Sequence, residues 1–337
     1  MPVTAWDEYP LHQTSLTVDV PATDDLDRMD RLWFTGYTAD GATQFMAGFC
    51  AYPNREVADG FFLVRHGDEQ RNVRVSRHLR PDRFAQTAGP LTFTVDEPLN
   101  RWSIELAGND AGVGAALRFT SRSPVYLFGR PNPLDTPTTG FSHYRQFGHF
   151  EGTVSIDGTT IELSGAHAVR DRSWGVRDPR IVSRMNLVLL VEAAFEDCSL
   201  ILNFRRQEGV VLRDSGEVEM ITGITERITF DDETGICTGV DMVATMESGQ
   251  TVQVRATPVS PPCYFTGGGY DGRHGLDLGP LHVEHESWDV GRPSKLDGVM
   301  PYYALVSEVS FGDQHGAGHV EIYIAEDENW TYHPTMD

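Results

Sequence analysis

Lysine is almost missing from this chain of 337 residues: Lys295 is the only one among 27 basic side chains. Schiff-base chemistry and P-loop phosphate binding each need a placed lysine, so both classes drop out. Positive charge as a whole is scarce. Against 49 Asp and Glu the formal net charge is -22, which excludes nucleic acid as a partner and leaves no basic face for an anionic membrane. Long apolar runs are missing too. The longest, Leu187 to Val191, has the length of a strand and falls far short of a membrane span. The opening MPVTAWDEYP has neither the basic start nor the apolar stretch of a secretory signal, so the sequence reads as soluble and cytoplasmic. The four cysteines, Cys50, Cys198, Cys237 and Cys263, are far apart and form no C-x-x-C pair. That removes zinc-ribbon and dithiol chemistry and leaves buried free thiols. No G-x-S-x-G and no H-E-x-x-H is present, so the common hydrolase signatures are missing.

Helical periodicity is equally sparse. The best helix is short, Asp24 to Trp33 (DDLDRMDRLW), with acidic residues at its start. Strand patterns fill the rest. Phe61 to Arg65, Leu91 to Val95 and Arg101 to Leu106 have strand length and composition. GTVSIDGTTIEL, Gly152 to Leu163, reads as a hairpin turning at Asp157-Gly158. Further strands are expected at Met185 to Ala193, Ser199 to Arg205, Val218 to Phe230, Thr251 to Ala256, Tyr303 to Phe311 and Gly318 to Ile324. Many short strands with Gly- and Asp-rich turns indicate an all-β protein of antiparallel sandwiches or barrels. The proline-rich segment Gly129 to Gly140 (GRPNPLDTPTTG) is the expected domain boundary, dividing the chain into residues 1–135 and 136–337. A second loop, Pro258 to Gly279, is rich in Gly and Pro and is expected to cover the mouth of a pocket.

Two motifs are weak. Gly267, Gly269 and Gly272 match G-x-G-x-x-G, but no βαβ unit surrounds them, so they read as a loop. His282 and His285 form H-x-x-H on a strand, a spacing that points the two rings to opposite faces. With Glu284, Glu286, His315 and His319 they suggest solvated or core histidines rather than chelation. No metal and no cofactor is expected.

The densest charge lies mid-chain. Gly165 to Asp178 (GAHAVRDRSWGVRD) holds Arg170, Arg172 and Arg177, Asp171 and Asp178, and Trp174. On a strand, Asp171 and Ser173 share one face and Arg170, Arg172 and Trp174 the other. Desolvation raises the pKa of a buried aspartate and makes it a proton donor, whereas neighbouring arginines hold it ionised. Two readings stay open at this level: an active-site acid, or a structural clamp pairing Asp171 with Arg177 or Arg145. A third, glycosidase-like reading pairs Asp171 with Glu192 or Glu321, without a spacing that selects either.

The segment His143 to Asp178 resembles the AttH-like, hydroxyneurosporene-synthase superfamily, which includes the carotenoid 1,2-hydratases. The family pattern is a Gly-turn hairpin followed by G-x-x-x-R-D-H-S-W-G-x-R-D. Gly165, Arg170, Asp171, Ser173, Trp174, Gly175, Arg177 and Asp178 fit it, and Arg172 stands where histidine is usual. The resemblance implies two lipocalin-like antiparallel β-barrel domains packed together, the second carrying the motif. It implies acid chemistry of the lyase, hydratase or cyclase type on a hydrophobic isoprenoid-, steroid- or polyketide-like small molecule in a β-barrel pocket. Asp171 aligns with the proton-delivering aspartate, His143 and Tyr144 fall where polar pocket residues assist, and Trp174, Arg170, Arg177 and His149 are expected to touch substrate. The alternative is a lipocalin-like carrier of a lipophilic ligand that performs no reaction.

Overall fold

The computed structural model describes residues 12, 14–128, 140–177, 185–291, 299–325 and 329–336. The expected boundary residues Gly129 to Thr139, the motif's last residue Asp178, and Lys295 lie outside them. Strands dominate, arranged in two barrel-shaped antiparallel sheets, one closed and one nearly closed. The first sheet runs, in spatial order, through Leu281–Asp289, Glu69–His78, Val57–His66, Thr43–Tyr52, Arg28–Tyr37, Thr159–Val176, Phe141–Ile156, Val113–Ser121, Arg101–Leu106, Leu91–Glu97 and Thr87–Ala88. The second runs from Thr251–Pro258 through Cys237–Met246, Val218–Phe230, Glu208–Arg213, Cys198–Asn203, Leu187–Ala194 and Gln314–Ile324 to Tyr302–Phe311. That last strand pairs back onto Thr251–Pro258 and closes the barrel.

Each barrel is filled by side chains of alternate parity, as a pleated strand requires. Leu32, Phe34, Phe62, Trp102, Phe119 and Phe150 belong to the core of the first, and Leu189, Val191, Leu200, Leu202, Val320 and Ile322 to that of the second. The opposite parity is also apolar over part of its length. Trp33, Met46 and Leu63 from the first barrel cluster with Phe265, Tyr302 and Tyr323, while Phe147 and Val169 cluster with Leu190 and Ile201. The barrels therefore meet along their outer walls, and the strands at that seam are covered on both faces.

This burial explains the one reversed element. Asp24 to Trp33 is not a helix: Arg28–Tyr37 is a central strand paired residue by residue with Thr43–Tyr52 and Thr159–Val176. Met29, Leu32 and Trp33 fit a helical spacing, but two-sided strand pairing overrides that local preference. The hairpin at Asp157-Gly158 forms as expected, with φ of 48° and 81° at the two turn residues, the left-handed pair that such a turn needs. The strands of this hairpin, Phe141–Ile156 and Thr159–Val176, pair with strands of the first sheet. The charged motif is thus part of the first barrel, whereas the expected division near residue 135 assigns it to the second. The chain passes from one sheet to the other between Val176 and Leu187.

His282 and His285 lie on a strand whose exposure alternates, which puts them on opposite faces. Gly267 ends in a short 3-10 turn, Phe265–Gly268, with no βαβ unit around it. All four cysteines are unpaired and buried. No helix among the described residues is long and apolar enough to cross a membrane.

Gly175 shows why the motif needs a glycine. Its φ is +128°, and a Cβ there would stand 2.2 Å from the carbonyl oxygen of Gly140 on the paired strand. Gly175→Ala is expected to cost more than about 2 kcal/mol of stability through backbone strain, read as a lowered urea midpoint with an unchanged slope.

Candidate functional site

Three neighbouring strands set the site through their register. Trp33, Asp171 and Arg145 are directly opposite one another across Arg28–Tyr37, Thr159–Val176 and Phe141–Ile156, and Arg31, Ser173 and His143 form the adjacent row. All six side chains share the outer face of the first barrel, because positions two apart on a strand point the same way. They line a cavity of about 340 Å³. The second barrel closes it with Leu190, Tyr302 and Glu321, and the loop after Pro258 contributes Phe265 and Tyr270 at its edge. The cavity is between the two barrels. The expectation of a pocket inside a barrel is corrected: both interiors are occupied by the aromatic and aliphatic cores described above.

One wall is charged and buried. His143 Nε2–H donates to Asp171 Oδ2. Arg145 reaches three carboxylates: its Nη1 is 2.5 Å from Glu192 Oε2 and 4.0 Å from Glu321 Oε1, and its Nη2 is 3.4 Å from Asp171 Oδ2. Glu321 also accepts from the Tyr302 hydroxyl at 2.9 Å, and His319 Nε2 is 3.1 Å from its other oxygen. An aromatic cluster adjoins this wall. Phe265 stacks on Tyr302 at 4.1 Å and on Trp33 at 5.5 Å, with Tyr270 edge-on to all three.

The protonation states follow from competing effects. Burial pushes the Asp171 carboxyl up, but His143, Arg145 and Arg31 outweigh burial and hold it below the usual carboxylate range. Asp171 is therefore ionised at neutral pH. Burial lowers the basicity of His143, and Arg145 and Arg177 add to that against the pull of Asp171. Glu192, completely buried, is pushed up by desolvation and by Glu321, with Arg145 opposing. In Glu321, burial is outweighed by its bonds to His319 and by Arg145, so its pKa falls. Two neighbouring carboxyls with a single guanidinium between them titrate as a coupled pair, in which Glu192 holds a proton more readily than Glu321. The site thus carries an ionised acceptor, Asp171–His143, beside a coupled carboxyl pair, Glu192–Glu321.

The residues nominated from sequence divide by strand parity. Asp171 and His143 meet in the cavity, and Arg177 also lines it. Tyr144, Arg170 and Trp174 point the other way. Arg170 Nη2 donates to the Tyr144 hydroxyl at 2.8 Å, Tyr144 meets Trp174 edge-on at 6.1 Å, and the Arg170 guanidinium lies over Trp102 and Phe119 in the first barrel. These three are away from the cavity because adjacent residues on a pleated strand face opposite sides. His149 shares the face of His143 but is six residues further along and beside His167, beyond the cavity. Arg31, Trp33, Tyr302 and His319 have site positions without having been nominated. Glu192 carried a visible signal: a carboxylate in the apolar run LVLLVEAA is out of place unless it is paired.

Glu192, His319 and Glu321 place ligand atoms within 4.8 Å of one another, close enough for a metal ion. The donor set does not favour one. Arg145 already supplies the counter-charge at Glu192, and a cation inserted there would stand against that guanidinium.

A family model described as "Family of unknown function (DUF8625)" matches residues 3–327. No curated protein sequence matches the chain. Among solved structures, a protein assigned as AttH (NE1406) from Nitrosomonas europaea is similar with a TM-score of 0.56 and 16% identity, covering 94% of this chain and 98% of that one. CghA, solved with Sch210972, is similar with a TM-score of 0.52 and 11% identity over 90% of each chain. Kievitone hydratase from Nectria haematococca gives a TM-score of 0.49 at 9% identity, covering 91% and 93%. At these identities the likeness is one of fold, and the AttH-like, lipocalin-like resemblance carried by His143 to Asp178 is borne out at that level.

Two stability measurements check the charge arrangement. Arg145→Met leaves Asp171, Glu192 and Glu321 without their shared cation and is expected to cost about 3–5 kcal/mol, seen as a drop in thermal midpoint at neutral pH. The lowered Asp171 pKa has the opposite sign to an ordinary buried acid. Its stabilising contribution is complete above the ordinary carboxylate range and is lost as pH falls through that range and below it. Asp171→Asn should therefore flatten the acid limb of the stability–pH curve.

Proposed function

We propose, from the premise that this chain belongs to the DUF8625 family and has the AttH-like double-barrel fold, that it is an acid–base enzyme. The reaction is of the lyase, hydratase or cyclase type, on a small molecule with an apolar body held between the barrels. One observation carries the reading: an ionised carboxylate, Asp171, and a coupled carboxyl pair, Glu192–Glu321, meet at one buried guanidinium, Arg145, beside an aromatic surface. Groups whose environments drive their pKa values apart supply acid and base roles at one pH.

Asp171 takes the part of the base, with His143 orienting it and accepting charge, because in the resting state it has no proton to give. The acid is the Glu192–Glu321 pair. Glu321 lines the cavity, and it or the Tyr302 hydroxyl hands the proton on while Glu192 restores it. In a hydration, this acid protonates one carbon of a double bond and Asp171 takes a proton from the attacking water; dehydration runs the same steps backward. In a cyclisation, one proton leaves to Asp171 and one arrives from the pair. Arg31, Arg145 and Arg177 give the cavity a positive potential, which disfavours a free carbocation. The two transfers are therefore coupled, and a carbonyl-conjugated double bond suits the site better than an isolated isoprenoid one. The four unpaired thiols support a reducing, cytoplasmic setting.

The test is an untargeted conversion assay. Wild-type protein and the variants Asp171→Asn and Glu192→Gln are incubated with a metabolite extract in deuterated water and followed by mass spectrometry. The expected result is a compound altered by one water or left isobaric, labelled with solvent deuterium, and turned over at least about 100-fold more slowly by either variant. A molecule retained by the wild type with no conversion would support the carrier reading instead.

A further inference from the structure

Two arginines on the cavity wall have no anionic partner. Arg31 and Arg177 both line the cavity, and among the described residues neither side chain makes an ion pair or a hydrogen bond. Aromatic faces hold them instead. The Arg31 guanidinium is 4.8 Å from the Trp33 ring centre and 5.0 Å from that of Tyr270, and Arg177 is 5.4 Å from that of Phe141. Burial lowers the Arg177 pKa and the charge of Arg31 lowers it further, against the pull of Asp171.

Their condition contrasts with other buried arginines of the same chain. Arg74 is 2.6 Å from Glu284 and 3.2 Å from Glu286. Arg65 donates to three backbone carbonyls. Arg145 is shared by three carboxylates. In a protein with 49 acidic residues, counter-charges are abundant, yet none forms an ion pair with Arg31 or Arg177; Asp171, which acts on both at longer range, is already paired with His143 and Arg145. A guanidinium stacked flat on a ring keeps its N–H edge free for a planar, two-oxygen anion. Arg205 and Arg206 also line the cavity, so cationic side chains outnumber carboxylates around it.

We infer that the molecule held between the barrels is an organic anion, an apolar body with one carboxylate or enolate group bound by Arg31 and Arg177. This deepens the acid–base reading above and rests on it for the identity of the site. An anion seated there keeps the apolar body against Phe265 and Tyr302, and it explains why a strongly acidic protein retains a basic cavity.

The test uses binding and stability alone. Calorimetric titrations compare 2-naphthoate with 2-naphthylmethanol, which share a ring system and differ in charge, on the wild type, Arg31→Gln and Arg177→Gln. The acid is expected to bind at least about ten-fold more tightly than the alcohol to wild type, and the preference to fall below about three-fold in each variant. Removing a cation that lacks a counter-charge is expected to leave the thermal midpoint unchanged or raise it. Equal binding of acid and alcohol, binding of neither, or a preference kept in both variants would overturn the inference. So would a clear fall in midpoint in both variants, which would mark the arginines as structural. No turnover is required, so a missing acid preference leaves the acid–base reading standing, and a failed conversion assay leaves this one standing.

Discussion

The architecture of the seam between the barrels depends on one guanidinium. Arg145 is buried where two outer walls meet, and it faces a carboxylate of its own barrel, Asp171, and two of the other, Glu192 and Glu321. Without it, three acidic groups would share a low-dielectric space with no counter-charge. Beside it, their affinities for a proton differ: Asp171 and Glu321 are held below the usual carboxylate range, and burial pushes Glu192 up. The same interaction thus joins the barrels electrostatically and sets the inventory of protons at the cavity. A buried ion network of this kind contributes little net stability. Its value is in the protonation states it imposes.

The position of the cavity follows from what fills the barrels. Small barrels are packed by their own side chains, and here Phe34, Phe62, Phe119 and Phe150 leave no room in the first, while Val191, Leu202 and Ile322 belong to the core of the second. The cavity that holds Asp171 and His143 opens where the outer walls of the two barrels approach without matching. Apolar contacts on either side, around Met46 and Phe265 and around Phe147 and Ile201, hold the walls together. Both barrels supply charge and aromatic surface to the lining: Asp171, Arg145 and Trp33 from the first, Glu321 and Tyr302 from the second.

Much of the fold was legible in the residues. Alternation in LTFTV and RWSIEL, the short β-rich run FFLVR and the Asp157-Gly158 turn needed no tertiary information, because a half-buried strand imposes a period of two, a doubly buried one a short apolar run, and a tight hairpin left-handed turn residues. Asp24 to Trp33 has the spacing of a helix in Met29, Leu32 and Trp33, but from Arg28 onward it pairs on both edges with remote strands, which no local pattern reveals. The site was legible only in part. Parity separates Asp171 and Ser173 from Arg170 and Trp174, whereas the family resemblance implies Tyr144 as an assisting residue and Arg170 and Trp174 as substrate contacts, and all three face away from the cavity. Distance along the chain is a poor guide on a strand, where the next residue faces the opposite side.

By itself the sequence determined the strand content, the glycine at position 175, the reduced thiols and the presence of an acidic residue worth attention in the middle of the chain. These are local properties, set by backbone sterics, side-chain period and composition. The tertiary structure decided which barrel carries the motif, where the cavity lies, and that the Asp171 carboxyl is held ionised. Those depend on Arg31, Arg145, Glu192 and Glu321, which come together across two sheets from widely separated positions. Coulomb energies and desolvation are functions of distance in space, and strand pairing between remote segments is what sets those distances.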